Sequence, residues 1–218
     1  ISMAVLALTA VAAHAGGLTT GSESATYFAM GTDMKKICAP SVSLQVHPSE
    51  GSLANLSRIF KDKDTQYGIV QQDALIYRNL TDAAMMKNIM MLFPLFNEEI
   101  HILVNAKSGI KDFKDLQGKK VVIGTEGSGN WVTAQIIKNK TGMNWTDVQM
   151  APKEALFNLA MGESDAMIYV AGAPISALKE MGASAKGKIS MIPLRHPSLQ
   201  NFYVSSDIPG GLYPWQDR

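Results

Sequence analysis

The 218 residues are 46% hydrophobic and 18% charged, which excludes a disordered chain and supplies core for one large domain or two small ones at roughly 150 residues each. Lys plus Arg total 20 against 19 acidic residues, a formal charge of +1; with no basic stripe, nucleic acid has no electrostatic footing as a partner. Cys38 is the single cysteine, so an intramolecular disulfide and a Cys-based zinc site are both excluded.

The chain opens on an uncharged apolar run, Ile1 to Ala13, closed by Ala13-His14-Ala15. An apolar segment of about 7–15 residues ending in A-x-A is a secretory signal pattern, too short for a membrane span. Residues 1–15 are therefore expected to be the remnant of a signal peptide, with a mature start at Gly16 and a periplasmic location. No later stretch is long and apolar enough to span a bilayer.

From Gly17 onward short apolar runs alternate with helical periodicity. Strands are expected at 18–20, 43–46 and 67–70, with helices at 27–38 and 53–60 between them. A buried apolar run follows at 88–96, with the Met-Met pairs starting at Met85 and Met90 read as core and edge packing. A second unit starts after 98–104, with a short helix at 112–116 capped by Asp112. Strands are then expected at 120–123, 148–150, 166–170 and 189–194, and helices at 130–140, 153–161 and 175–181. This order predicts an α/β protein of two lobes, each a mainly parallel sheet flanked by helices. The expected boundaries are 16–104 for the first lobe and 105–197 for the second, hinged near Val104-Asn105. Residues 198–218 are expected to start a return to the first lobe. Two such lobes place a ligand cleft where strand ends and helix starts converge.

The densest motif is Gly124-Thr-Glu-Gly-Ser-Gly-Asn130, between a strand and a helix. Glycines allow close backbone approach, and free amides at a helix start attract anions. The P-loop reading fails because Asn130-Trp131 stands where Lys-Ser/Thr is required, and the dinucleotide reading fails because Val132 occupies the third glycine position. A ligand cradle and an ordinary capped turn both remain open. Pro48-Ser-Glu-Gly-Ser52 and Thr20-Gly-Ser-Glu-Ser-Ala-Thr26 are similar loops, with Ser52 placed to cap its helix. At Val70-Gln-Gln-Asp73 the aspartate either caps its own helix or faces the cleft. These loops lack Arg and Lys, so amides and hydroxyls near Ser52 and Ser128-Gly129 are the expected partners of a carboxylate. Glu23, Asp73 and Glu126 supply nearby negative charge that either meets an ammonium group or only caps helices and faces solvent.

Catalytic patterns do not accumulate. No G-x-S-x-G or H-E-x-x-H occurs. His101, in an alternating strand, reads as a hydrogen-bonded structural residue, His47 as a neighbour of the cleft, and His196 as surface. Adjacent Glu98 and Glu99 on a strand point to opposite faces and make no dyad. N-x-S/T triplets at Asn55, Asn79, Asn139 and Asn144 matter only in a eukaryotic secretory host.

Taken in order, Thr20-Gly-Ser…Ala25-Thr-Tyr27, Pro48-Ser-Glu-Gly-Ser-Leu-Ala-Asn55, Tyr67-Gly-Ile-Val-Gln-Gln-Asp73, Phe96-Asn-Glu-Glu-Ile-His-Ile-Leu103, the run from Asp115 to Asn130, and Asp165-Ala-Met-Ile-Tyr-Val-Ala-Gly-Ala-Pro174 resemble the TAXI-type solute receptors of TRAP transporters, in the type 2 periplasmic-binding-protein superfamily. The resemblance implies a Venus-flytrap fold, no enzymatic activity and no cofactor. It implies a monomer that carries a small ligand, an amino acid or dicarboxylate, to TRAP membrane subunits. It implies cleft contacts at Ser22, Thr26, Tyr27, Ser52, Gln71, Gln72, Asp73, Ser128, Gly129, Asn130, Tyr169 and Pro174. Such receptors carry more glycine in the first loop, and they continue further and return to the first lobe, so this chain is expected to lack that end. A ligand-sensing module of the same fold and a small-molecule enzyme are the competing readings.

Overall fold

The computed structural model describes residues 15–39 and 41–216. The predicted export segment lies outside them except for Ala15, which opens the first strand.

Strands β1 (Ala15–Thr19), β2 (Ser43–His47) and β3 (Tyr67–Gly68) form a parallel sheet ordered β2-β1-β3. Helices α1 (Thr26–Cys38), α2 (Ser52–Lys61), α3 (Gln72–Thr81) and α4 (Ala83–Met86) follow these strands. Side chains alternate across β1. Leu18 packs with Leu44, Ile69 and Met30 of α1, while Thr19 turns to α2 and donates to Asn55 at 2.7 Å.

The second sheet contains β4 (Glu99–Asn105), β5 (Lys120–Val122), β6 (Thr146–Val148), β7 (Ala166–Ala171) and β8 (Ile189–Ile192), ordered β6-β5-β7-β4-β8. Among these strands β4 alone runs against its neighbours. A 3-10 turn at Phe113–Leu116 carries the predicted Asp112 cap, completed by Asp115 as a capping box. Helices α5 (Gly129–Thr141), α6 (Pro152–Met161) and α7 (Ser176–Glu180) complete this unit. One face of the sheet buries Ile102, Val104, Val121 and Ile168; the other buries Leu103, Val122, Met167 and Ile189. Continuous apolar strands are what a sheet covered on both faces requires.

The mixed α/β architecture, with sheets flanked by helices, is as expected. Three local expectations change. Residues 88–96 are neither buried nor a strand: Met90 is 84% exposed and Phe93 61%. Hydrophobicity alone suggests burial, but only the ends of the run are packed, Ile89 against the cluster around Met85 and Phe96 edge to face with Tyr27; Met86 is partly buried, whereas Met90 and Met91 face outward. β4 bonds along its length within the second sheet, so the crossing between sheets precedes Glu99 and the turn after Asn105 stays inside one unit. An apolar strand carries no mark of which sheet it joins. Tyr213 and Trp215, in the expected return segment, are buried in the second unit's core.

Candidate functional site

Asn55 organises the ends of the first sheet. It is fully buried on α2. Its Oδ1 accepts from the hydroxyls of Thr19 at 2.7 Å and Ser49 at 2.6 Å, and its Nδ2 donates to the carbonyls of Thr20 and, at 2.7 Å, Ile69. One amide thus ties the ends of β1, β2 and β3 beneath the start of α2. Its place in an N-x-S triplet gave no hint of this role, and its burial removes it as a glycosylation acceptor.

The start of α2 meets the start of α5. The backbone amides of Leu53 and Ala54 donate to the carbonyl of Gly127 at 3.0 and 3.3 Å. Gly51 has φ +125°, outside the range of side-chain-bearing residues, and a Cβ there would stand 3.3 Å from the Cα of Ser128. Gly129 is required for another reason: a Cβ would fall 1.2 Å from Oε1 of Gln71. Apolar packing supports the junction, with Val132 of α5 buried among Leu53, Leu56 and Ala74.

Around this junction the sequence-predicted residues separate into groups. Ser52, Gln71 and Gly129 come together, with Ser128 against Gly51. Ser52 is not the helix cap; Gly51 holds that position, and the Ser52 hydroxyl accepts from the Gln71 amide at 3.1 Å. Ser128 caps α5, accepting from Trp131 N–H at 3.2 Å and donating to the Thr125 carbonyl at 2.7 Å. Asp73 lies inside the first turn of α3, where Gln71 is the cap. It is buried, and its Oδ2 accepts from Thr133 of α5 at 2.6 Å and Tyr203 at 2.8 Å, tying both units to the C-terminal segment. Tyr27 donates to Glu98 at 2.6 Å. Asn130 accepts from Val170 N–H at 2.8 Å and so fixes α5 to β7. Tyr169 is half-buried on β7. Ser22, Thr26, Gln72 and Pro174 are exposed.

Burial sets the electrostatics. The Glu98 carboxyl is pushed up to about 7 by burial first, with Asp73 and Glu99 adding to the rise and the Tyr27 hydrogen bond opposing it. Burial also raises Asp73. It raises the Tyr27 and Tyr203 phenols, each with a neighbouring carboxylate adding to the effect. The Tyr169 phenol is pushed up to about 12, by burial and then by Tyr213. His101 is lowered by burial and bonds the Glu99 carbonyl at 3.0 Å and Tyr213 Oη at 2.8 Å, the structural role expected of it. Glu98 and Glu99 do diverge: Glu98 meets Tyr27, and Glu99 accepts from Ala173 N–H at 2.8 Å. Sequence reasoning did not find Glu98, Thr133, Tyr203 or Asn55. Their partners are remote in sequence, and only the loop pattern around Asn55 offered a signal. Among the described residues no group of His, Cys, Asp and Glu is placed to hold a metal.

The model of the NMT1-like family matches residues 18–217. Similar solved structures include an ancestral arginine-binding protein bound to arginine, with TM-score 0.57 and 17% identity over 82% of this chain and 78% of that one. Holo ArgBP from T. maritima aligns at TM-score 0.56 and 17% identity, covering 83% and 77%. The alkanesulfonate-binding protein SsuA from Xanthomonas axonopodis pv. citri, bound to MOPS, aligns at 0.51 and 15% identity; 81% of this chain spans 59% of that one. Likeness at these identities establishes the shared fold.

Proposed function

This chain belongs to the NMT1-like family, and from that premise we propose that it is an extracytoplasmic solute-binding receptor, without catalytic activity or cofactor, working between its two α/β units. The observation that carries this reading is the junction of α2 with the Gly127–Gly129 loop. The α2 amides form the positive end of a helix, and the Gly127 carbonyl sits on them as a neutral acceptor. A ligand carboxylate is a stronger, charge-assisted acceptor for the same amides and displaces that carbonyl. Ser128 keeps its capping role, so the anion is held by backbone amides. Asp73, whose buried Oδ1 has no hydrogen-bond partner, supplies negative charge for an ammonium group, which favours a zwitterionic amino acid over a dicarboxylate. The solved structures of similar fold that carry arginine and MOPS support a small polar ligand.

Export by residues 1–15 and delivery to TRAP-type membrane subunits complete the proposal, supported by the ordered motifs that resemble TAXI receptors. Native mass spectrometry tests it, using the purified chain incubated with the twenty amino acids and four- and five-carbon dicarboxylates. Retention of one member, released unchanged, is expected. Retention of none rejects the receptor, and release of an altered molecule replaces it with an enzyme.

A further inference from the structure

A cavity of about 330 Å³ opens beside the junction, between α2, α3 and the start of α5. Its wall includes Arg78 of α3, whose guanidinium is poorly satisfied. Nη2 lies 3.5 Å from the Leu53 carbonyl and 3.4 Å from the Ser57 hydroxyl, both at the weak limit of hydrogen bonding. Nε is buried and has no hydrogen-bond partner. No carboxylate is within ion-pair distance of Arg78 among the described residues. Arg58 on α2 contrasts with it, donating to the Pro48 carbonyl at 2.7 Å and pairing with Glu50 at 3.8 Å. A buried unpartnered donor on a permanently charged group calls for an acceptor. The guanidinium lines the cavity, and a planar guanidinium edge holds a carboxylate with two parallel bonds.

The rest of the wall defines the body of the occupant. Tyr77 and Trp131 meet edge to face, with centroids 5.9 Å apart, and give an aromatic surface. The Ser57 and Thr81 hydroxyls donate to backbone carbonyls of their own helices, which leaves recognition of the anion to Arg78. Exposed Glu126 also lines the cavity and repels a second negative charge. We propose that this cavity is a binding site for a small monocarboxylate with an aromatic or apolar body, its carboxylate on Arg78 and its ring against Tyr77 and Trp131. Tyr77 and Arg78 come from the first unit and Glu126 and Trp131 from the second, so the occupant bridges both. The cavity borders the α2 amides, with Leu53, Ala54 and Gly127 in its wall, but its anion partner is Arg78, so the site does not rest on the receptor reading.

Calorimetric titration of the full chain with benzoate, and with neutral benzamide, tests the site. Saturable benzoate binding is expected, with benzamide at least about tenfold weaker. Arg78→Lys keeps the charge but loses the planar edge and weakens benzoate about tenfold; Arg78→Gln abolishes binding. Glu126→Gln, on the exposed rim, tightens benzoate about threefold. Equal affinity for benzoate and benzamide, wild-type affinity in Arg78→Gln, or no saturable benzoate binding overturns the proposal. Should Arg78→Gln fail to fold, the Glu126→Gln titration decides, and unchanged affinity there overturns it.

Discussion

In the second unit β4 and β7 bury apolar side chains on both faces, and two extended cores flank one five-stranded sheet. In the first unit a three-stranded sheet has smaller clusters, while Phe60, Ile76, Leu80 and Leu92 lie exposed. A polar hub at Asn55 gathers its strand ends, and its largest cluster borrows Val132 from the other unit. Hydrophobic burial therefore stabilises the second unit directly, whereas the first depends on a satisfied amide and on docking. A weaker unit that docks against a firmer one is the division that ligand-controlled closure needs, because the moving part must lie near its own transition.

The largest effect is expected from Ile168→Ala at the centre of β7, where the side chain is fully buried. The cavity costs about 4 kcal/mol in urea unfolding and weakens the whole molecule. Asn55→Ala comes next, at about 3 kcal/mol, because it removes several buried hydrogen bonds and orphans their partners. Its loss should be regional: amide exchange should accelerate in β1 to β3 and stay slow in β4 and β7. Uniform acceleration would mean that the units are equally dependent on Asn55.

Much of this contrast is legible in the sequence. The apolar runs at 98–104 and 166–170 announce strands, though the alternation around His101 hides that β4 is covered on both faces, and the Gly-Ser loops before the helices mark the convergent ends. The exposed run at 88–96 defeats the same reasoning, since composition does not tell a covered surface from an open one. The sequence leaves Asp73 a choice between cap and cleft, but Thr133 and Tyr203, which bond its Oδ2, lie far along the chain. Nor does the pattern reveal that Ser52 serves Gln71 instead of its own helix.

Gly129→Ala sharpens the comparison at the docking surface. The added Cβ collides with Gln71 and is expected to cost about 2 kcal/mol, with Gln71→Ala restoring most of it. Scattering should show a larger radius of gyration in the single variant and recovery in the double; a compact single variant would mean that the contact adapts without separating the units.

The smallest effect is pH-linked. Glu98 is raised from 4.5 to about 7, so between these values the folded state holds a proton that the unfolded chain has released. Its contribution to stability is therefore full below about pH 4.5 and falls as pH rises toward and through 7. After allowance for partial exposure this amounts to about 1.5 kcal/mol. Glu98→Gln should flatten that part of the pH profile in thermal unfolding, and a profile unchanged by the substitution would remove Glu98 as its source.

The most direct measurement is hydrogen exchange by mass spectrometry on peptides covering 52–56 and 127–132, with and without the amino acid or dicarboxylate that the protein retains. The account predicts that one ligand slows exchange in both peptides together, because it replaces the Gly127 carbonyl on the α2 amides while touching the opposing loop. A ligand that binds tightly yet protects only one of the two peptides, or neither, would contradict a binding site formed between the two units.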